Sequence, residues 1–214
     1  MSVDPRRVAS VLASALLLAL PVGCGLLSKA PERQLYRLAP ACAVAAGLPQ
    51  VKVQLVVATP NAAAGLDGER IALTRSPVSL EYFADAEWSD RVPFLVRTAL
   101  VDCFQQSGAI AAGPASLGLR ADFVLETAIR DFQAAYDSPT GPPRVLVALD
   151  VDLVRMPERK LVAHTLLKAE ARAAANAVPE TVRAFDAALG GAVTDAVRWT
   201  LANPALSGRL GSLR

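Results

Sequence analysis

The chain has 214 residues and a formal net charge of +2, which suits one domain of ordinary size with its own core. Hydrophobic residues make up 53% and charged residues 20%, a composition that excludes a largely disordered chain. A charge so close to zero provides no basic excess for a phosphate backbone, so nucleic acid is not expected as a partner.

The N-terminal segment is typical of an export signal that ends in a lipidation site. Arg6 and Arg7 form a short positive region, and residues 8–20 are uncharged and mostly apolar. The following "VGC" resembles the lipobox of bacterial lipoproteins, although Pro21 stands where that pattern prefers leucine. The resemblance implies that residues 1–23 are a signal peptide and that Cys24 becomes the acylated N-terminus, carrying chains such as palmitate.

Two alternatives to lipidation remain open, an uncleaved anchor and a soluble periplasmic protein. An apolar run extended to Leu27 would approach the roughly 20 residues of a membrane span, but Pro21, Gly23 and Gly25 interrupt it. We therefore favour a lipoprotein held at the cell envelope by its acyl chains, facing the periplasm, with residues 24–34 as tether. Gly25, in place of an aspartate after the cysteine, favours the outer membrane by the sorting rule of enteric bacteria.

The first half of the body predicts four strands and a helix. Strands are expected at 35–38, at Val51–Val57, where apolar and polar residues alternate, and at 70–75 and 79–84, on either side of a Ser-Pro turn. The period then changes to that of a helix that Ser89 or Asp90 can cap and that Gly108 ends. Its apolar stripe is Val96, Leu100, Cys103, Phe104 and Ser107.

The second half predicts a meander and a second helix. Three long strands, 122–136, 144–155 and 160–172, are joined by short segments, which implies antiparallel neighbours. The last helix begins at Pro179 and ends before Asn203-Pro204, with Gly190 and Gly191 in its middle. We interpret this glycine pair as close packing of the helix on the sheet in preference to a hinge.

These elements predict an α+β domain: a mostly antiparallel sheet with two helices packed on one face, preceded by the signal and lipidation segment. The domain is expected over residues 35–204, with a C-terminal tail at 205–214. One face of the meander is polar and carries both signs of charge, which suits cross-strand pairing on a solvated surface. That face comprises Glu126, Arg130, Asp150, Asp152, His164, Lys168, Glu170 and Arg172.

Few residues are candidates for chemistry. Asp150 and Asp152 are two positions apart on a strand, about 7 Å, a spacing at which carboxylates can serve inverting glycoside hydrolysis. The neighbouring basic residues favour a wetted strand face instead. His164 is the one histidine, and no G-x-S-x-G or G-x-x-x-x-G-K-[ST] pattern occurs. We expect no catalytic residues, no metal site and no cofactor.

Two cysteines remain once Cys24 is acylated. Cys42 and Cys103 could pair in an oxidising periplasm, or Cys103 could be a buried free thiol on the apolar stripe of the first helix. The sequence leaves both alternatives open.

The stretch "PNAAAGLDGERIALTRSPVSLEYFADAEWSDRVPFLV" resembles the ABC-type transport auxiliary lipoproteins, which accompany MCE-domain lipid transporters. The resemblance implies a non-enzymatic subunit beside an MCE-domain protein, an ABC permease and a cytoplasmic ATPase, with a phospholipid or another apolar lipid as cargo. It implies no catalytic residues. The residues that carry it are Leu66, Asp67, Arg70, Ile71, Tyr82, Ala84, Trp88, Pro93, Ser107, Gly108, Ala121, Asp122, Leu125 and Phe132.

A partner-binding surface is expected around the hairpin formed by the predicted strands 70–75 and 79–84, here called the second hairpin, at Tyr82, Phe83 and Trp88. Tyr82 and Phe83 point to opposite faces of one strand, so both cannot enter one core, and Trp88 lies among acidic neighbours. The competing interpretation places Trp88 under the first helix. Three other functions stand beside the transporter subunit: an envelope-assembly lipoprotein that docks on a cell-wall synthase or an outer-membrane barrel, a hydrolase, and a lipid carrier with its own cavity.

Overall fold

The structure is a computed structural model that describes residues 33–45, 48 and 50–207. The predicted signal peptide, Cys24 and residues 208–214 lie outside the described residues. In the described part, nine strands form one sheet. They are β1 (Gln34–Tyr36), β2 (Val51–Val57), β3 (Asn61–Ala62), β4 (Arg70–Thr74), β5 (Glu81–Trp88), β6 (Ile110–Pro114), β7 (Phe123–Ala135), β8 (Arg144–Arg155) and β9 (Lys160–Arg172).

Strand β7 organises the sheet. Along one edge it pairs with β8, and β8 pairs with β9, both antiparallel, as the short joins predict. Along its other edge β7 pairs in turn with β2, β3 and β4, which follow one another in its own direction. Strand β6 extends β2 in parallel, β5 extends β4 antiparallel, and β1 adds to β5 in parallel.

The prediction of a mostly antiparallel sheet is wrong. Five strand pairs, β1–β5, β2–β6, β2–β7, β3–β7 and β4–β7, are parallel, and only β4–β5, β7–β8 and β8–β9 are antiparallel. Parallel strands are joined by long connections, so their pairing cannot be predicted from a short turn in the sequence. The α+β class is confirmed, and the sheet is mixed.

The helices are α1 (Val92–Ser107), α2 (Val178–Leu201) and the short α3 (Pro204–Ser207). The N-cap of α1 is Arg91, without a side-chain cap, so neither Ser89 nor Asp90 caps it as predicted. Gly108 ends α1 in the left-handed region, at φ +60°, as expected of a C-terminal glycine. No helix in the described ranges is both long and apolar enough to cross a membrane.

The helices cover the apolar side of the sheet. Helix α2 packs on β8 and β9, α1 packs on β6, and the two helices contact each other. The side chains of α2 at helical spacing are buried, namely Val182, Phe185, Leu189, Val193, Ala196 and Thr200. The predicted stripe of α1 is buried except for Ser107, which is half-buried. Leu206 of α3, within the predicted tail, is also part of the core.

Three aromatic side chains join the layers. Trp88 at the end of β5 meets Phe185 of α2 edge to face, with ring centroids 5.0 Å apart, and Phe132 of β7 at 6.1 Å. Phe132 and Phe185 are themselves 5.0 Å apart. Edge-to-face pairs of this kind contribute about 0.5–1.5 kcal/mol each beyond the area they bury.

The segment Ala39–Ala43, here called the strap, crosses the outer surface of both helices. The backbone N–H of Ala39 donates to Asp186 Oδ1 at 2.7 Å, and that of Ala43 donates to Thr194 Oγ1 at 3.0 Å. Arg198 donates to the carbonyl oxygen of Ala43 at 2.8 Å. Burial raises the pKa of Asp186, and the hydrogen bond from Ala39 partly offsets that effect.

A disulfide ties the same strap to α1. Cys42 and Cys103 are bonded, with Cα atoms 5.4 Å apart, across 61 positions of sequence. The strap is therefore attached to α2 by hydrogen bonds and to α1 by a covalent bond.

The two central glycines of α2 pack closely on different neighbours. A Cβ atom on Gly190 would lie 2.6 Å from the carbonyl oxygen of Ala41 in the strap. A Cβ atom on Gly191 would lie 3.4 Å from the Cβ of Ala169 in β9, which is ordinary contact. The predicted close packing on the sheet is therefore correct for Gly191. Gly190 instead lets the backbone of the strap approach α2 closely.

Gly190→Ala should lower the free energy of unfolding by about 1–3 kcal/mol, because the strap backbone must move to accept the methyl group. Gly191→Ala is the matched control, since it has the same helix and the same chemical change. It should raise stability by up to about 1 kcal/mol through helix propensity alone. Urea unfolding of both variants measures the difference, and equal stability would contradict the role of Gly190.

Replacing Cys42 and Cys103 together by alanine should cost about 2–5 kcal/mol, because a disulfide that closes a long loop restricts the unfolded chain. Mass analysis of unreduced protein after alkylation should find neither thiol modified. Recovery of two alkylated thiols at these positions would show that no bridge exists in the protein.

Candidate functional site

The tip of the second hairpin, between β4 and β5, presents apolar side chains to solvent. Val78 is 95% exposed and Leu80 is 42% exposed. A cleft of about 550 Å³ lies between this loop and the end of β7, where Tyr136 forms part of its wall. Burial raises the pKa of the Tyr136 hydroxyl, and the positive charge of Arg75 opposes the rise.

Tyr82 and Phe83 follow the tip and lie on opposite faces of β5, as predicted. The hydroxyl of Tyr82 donates to the carbonyl oxygen of Gly65 at 3.0 Å, and the guanidinium carbon of Arg70 lies 3.7 Å from its ring centroid. Tyr82 is thus held by its own domain. The ring of Phe83 lies 6.5 Å from that of Tyr136, and both residues are half-buried.

A bulge in β5 shapes the surface beside Phe83. Arg70 pairs with Glu87 but Ala72 pairs with Tyr82, so β5 contains more residues than the facing stretch of β4. Asp85 within it has φ +53°, in the left-handed region that aspartate tolerates better than most residues. Ala84 and Asp85 are exposed as a result. The strand prediction did not contain this bulge.

Trp88 does not lie on this surface. Its side chain is 1% exposed and belongs to the aromatic contact with Phe132 and Phe185. The prediction of Trp88 as a partner contact is therefore corrected: a side chain enclosed by its own domain offers no area to another protein. Of the three predicted contact residues, Tyr82 and Phe83 retain accessible surface.

A second group of side chains meets on the solvent face of the meander. Asp150 and Asp152 project from the same side of β8, and His164 of β9 stands opposite Asp152. The Nδ1 atom of His164 lies 2.8 Å from Asp152 Oδ1 and 3.3 Å from Asp150 Oδ1. One donor atom from each of the three residues falls within 4.8 Å of the others.

Arginines neutralise the carboxylates around this group. Arg130, the bulged residue of β7, donates through Nε to Asp150 Oδ2 at 3.0 Å, and Arg159 donates to Glu126 Oε1 at 3.2 Å. The predicted cross-strand pairing of charges is confirmed by the contact of Arg130 with Asp150, whereas Arg159 lies in the turn between β8 and β9. Oδ1 of Asp150 is buried and accepts no hydrogen bond from the described residues.

This geometry does not support the hydrolase hypothesis. An inverting glycosidase keeps its two carboxyl groups about 6.5–9.5 Å apart to admit a water molecule, and these donor atoms are closer. One oxygen of each carboxylate is also engaged, since Arg130 donates to Asp150 Oδ2 and Asp152 Oδ1 lies within hydrogen-bond distance of His164 Nδ1.

The sequence placed Asp150, Asp152 and His164 on one polar face, as the structure confirms, but it did not predict which of them stand opposite each other. The register changes by one residue between Val154–Leu161 and Leu153–Ala163, so Val162 is an extra residue in β9. Without that bulge, His164 would oppose Val151 and point to the other face. No local feature of the sequence "KLVAHTLL" predicts the bulge.

The comparisons with known proteins agree with this fold. A family model described as the ABC-type transport auxiliary lipoprotein component matches residues 34–197. An uncharacterised protein of Bradyrhizobium diazoefficiens is 32% identical over 155 residues, which are 71% of this chain. This chain spans 40% of the length of that relative.

Two solved structures share the architecture. Protein XCC0632 from Xanthomonas campestris has a TM-score of 0.74 and 25% identity, over 85% of this chain and 99% of its own. An uncharacterised protein has a TM-score of 0.59 and 17% identity, over 78% of this chain and 99% of its own, a likeness of fold alone. Because the family model spans nearly the whole described body, this chain belongs to the ABC-type transport auxiliary lipoprotein component family.

Proposed function

We propose that this protein is the auxiliary lipoprotein of an MCE-type ABC transporter and supports lipid transport across the cell envelope by binding other subunits, without catalysis. The observation that carries the proposal is the family match over residues 34–197. The proposed partners are an MCE-domain protein with its ABC permease and ATPase, and the membrane through a lipid on Cys24. The proposed location is the periplasmic side of the outer membrane.

The place where the body begins suits a tethered module. Arg33 donates to Glu87 of β5 at 2.6 Å, and β1 adds to the sheet directly after it. Residues 24–32 precede this point, and nine residues reach at most about 30 Å when fully extended. A lipid on Cys24 would therefore keep the domain within about that distance of the membrane surface.

Binding fits the described surface better than carriage of a lipid. The cleft beside the hairpin and the cleft along the strap are both open, and each includes charged side chains in its wall. A carrier encloses its apolar cargo in a largely apolar cavity. In the described part of the chain, the exposed apolar tip of the second hairpin is the better candidate for contact with another protein.

We place the partner contact on that hairpin, at Val78, Leu80 and Phe83, with Tyr82 as the residue that positions it. Val78 and Leu80 are exposed and line the cleft together with Tyr136. The ring of Phe83 lies beside the ring of Tyr136. Central apolar and aromatic side chains carry most of the energy of protein interfaces. The hydroxyl and ring contacts of Tyr82 hold the loop near Gly65 against β5.

Val78→Asp should reduce recovery of the MCE-domain protein about tenfold or more in a pull-down from detergent-solubilised envelopes, with an almost unchanged thermal midpoint. Phe83→Ala should reduce recovery in the same direction. Leu117→Asp is the matched control, because Leu117 is also an exposed apolar residue, 64% exposed, but follows β6 instead of the hairpin. It should leave recovery intact.

Trp88→Ala separates folding from binding in the same assay. It should lower the thermal midpoint strongly, because removal of a core aromatic costs roughly 3–5 kcal/mol of unfolding free energy. Full recovery with Val78→Asp, or equal loss with Leu117→Asp, would contradict the hairpin contact. Capture of a cell-wall synthase or an outer-membrane barrel without transporter subunits would contradict the proposed function itself.

Cys24→Ala tests the anchor. The variant should accumulate as unprocessed precursor and carry no diacylglycerol label, because the acylated thiol is absent. Metabolic labelling with a radioactive fatty acid, followed by gel electrophoresis, measures both effects. Cys42→Ala is the control and should be labelled and processed normally. A Cys24→Ala protein that matures and still carries the label would refute lipidation at this residue.

A further inference from the structure

We propose that Asp150, Asp152 and His164 form a binding site for a divalent transition metal ion, with Zn²⁺ as the representative, on the solvent face of the sheet. The site is separate from the proposed partner contact. It lies on β8 and β9, whereas the hairpin lies beyond β7 on the other half of the sheet.

The spacing of the donor atoms carries the proposal. Metal–donor bonds of about 2.0–2.1 Å at angles of 90–109° place two ligand atoms about 2.8–3.4 Å apart. The two distances from His164 Nδ1, 2.8 Å to Asp152 and 3.3 Å to Asp150, fall within that range. All three donor atoms lie within 4.8 Å of one another, a spread that small side-chain rotations close.

The buried oxygen of Asp150 in this group supplies a second reason. Oδ1 of Asp150 is shielded from solvent and accepts no hydrogen bond from the described residues. A buried acceptor without a donor carries a desolvation cost, which is larger when the acceptor is charged. A cation between this oxygen and His164 would remove that cost.

The charge balance also favours a cation. Asp150 and Asp152 contribute two negative charges. Arg130, which donates to Oδ2 of Asp150, contributes one positive charge. With a neutral imidazole the group has a net charge of −1.

The donor set selects the kind of metal. One imidazole with two carboxylates suits zinc and the neighbouring transition metals better than calcium or magnesium, which prefer oxygen alone. His164 and Asp152 are about half-exposed, so the remaining coordination positions face water. Soft thiolates do not compete, since Cys42 and Cys103 are bonded to each other and Cys24 is the proposed acylation site.

The single histidine makes the test unambiguous. The mature full-length lipoprotein, in detergent and without a histidine tag, is labelled with ¹⁵N-histidine and titrated with ZnSO₄ at pH 7.5. The imidazole signals of His164 should shift and saturate at one equivalent. Calorimetry of the same titration should show binding that Asp152→Asn weakens about tenfold or more. Arg130→Gln should strengthen it, because the nearby positive charge is removed.

Asp137→Asn is the control, since it removes the same charge from an exposed carboxylate that contacts Arg144 and Arg172. It should leave zinc binding unchanged, and thermal midpoints confirm that each variant is folded. The proposal is overturned if the imidazole signals do not respond to 1 mM Zn²⁺. It is equally overturned if Asp137→Asn weakens binding as much as Asp152→Asn, which would mean general attraction to surface charge.

Discussion

The whole sheet depends on the pairing capacity of β7. Its thirteen residues bond to β8 along one edge, and along the other edge they bond in succession to β2, β3 and β4. The short strands β2 and β4 and the two-residue strand β3 thus all pair with β7. Because β2 carries β6 and β4 carries β5, both outer parts of the sheet are attached through this one strand.

The helical layer is fixed to this sheet by two different means. Inside, the contact of Trp88, Phe132 and Phe185 links β5, β7 and α2 through buried ring surfaces. Outside, the strap binds α2 by hydrogen bonds and α1 by the Cys42–Cys103 disulfide. The strap is therefore bound to both helices.

This arrangement gives the two halves of the sheet different surfaces. The helices cover the apolar side of the meander, which leaves the other side polar and exposed, with charges paired across strands. The hairpin of β4 and β5 extends from the opposite half and carries the exposed apolar tip. The polar face and the exposed apolar tip are thus on different halves of one small domain.

Sequence alone determined whatever depends on neighbours along the chain. Alternation located the long strands, the helical period located α1 and α2, and Gly108 marked a helix end, because these signals arise from local geometry. The tertiary structure decided what depends on distant partners: the parallel pairing on β7, the burial of Trp88, and the passage of the strap over Gly190. It also decided that His164 stands opposite Asp152 on the polar face that the sequence predicted for both, because one extra residue in β9 shifts its register and no residue type encodes that bulge.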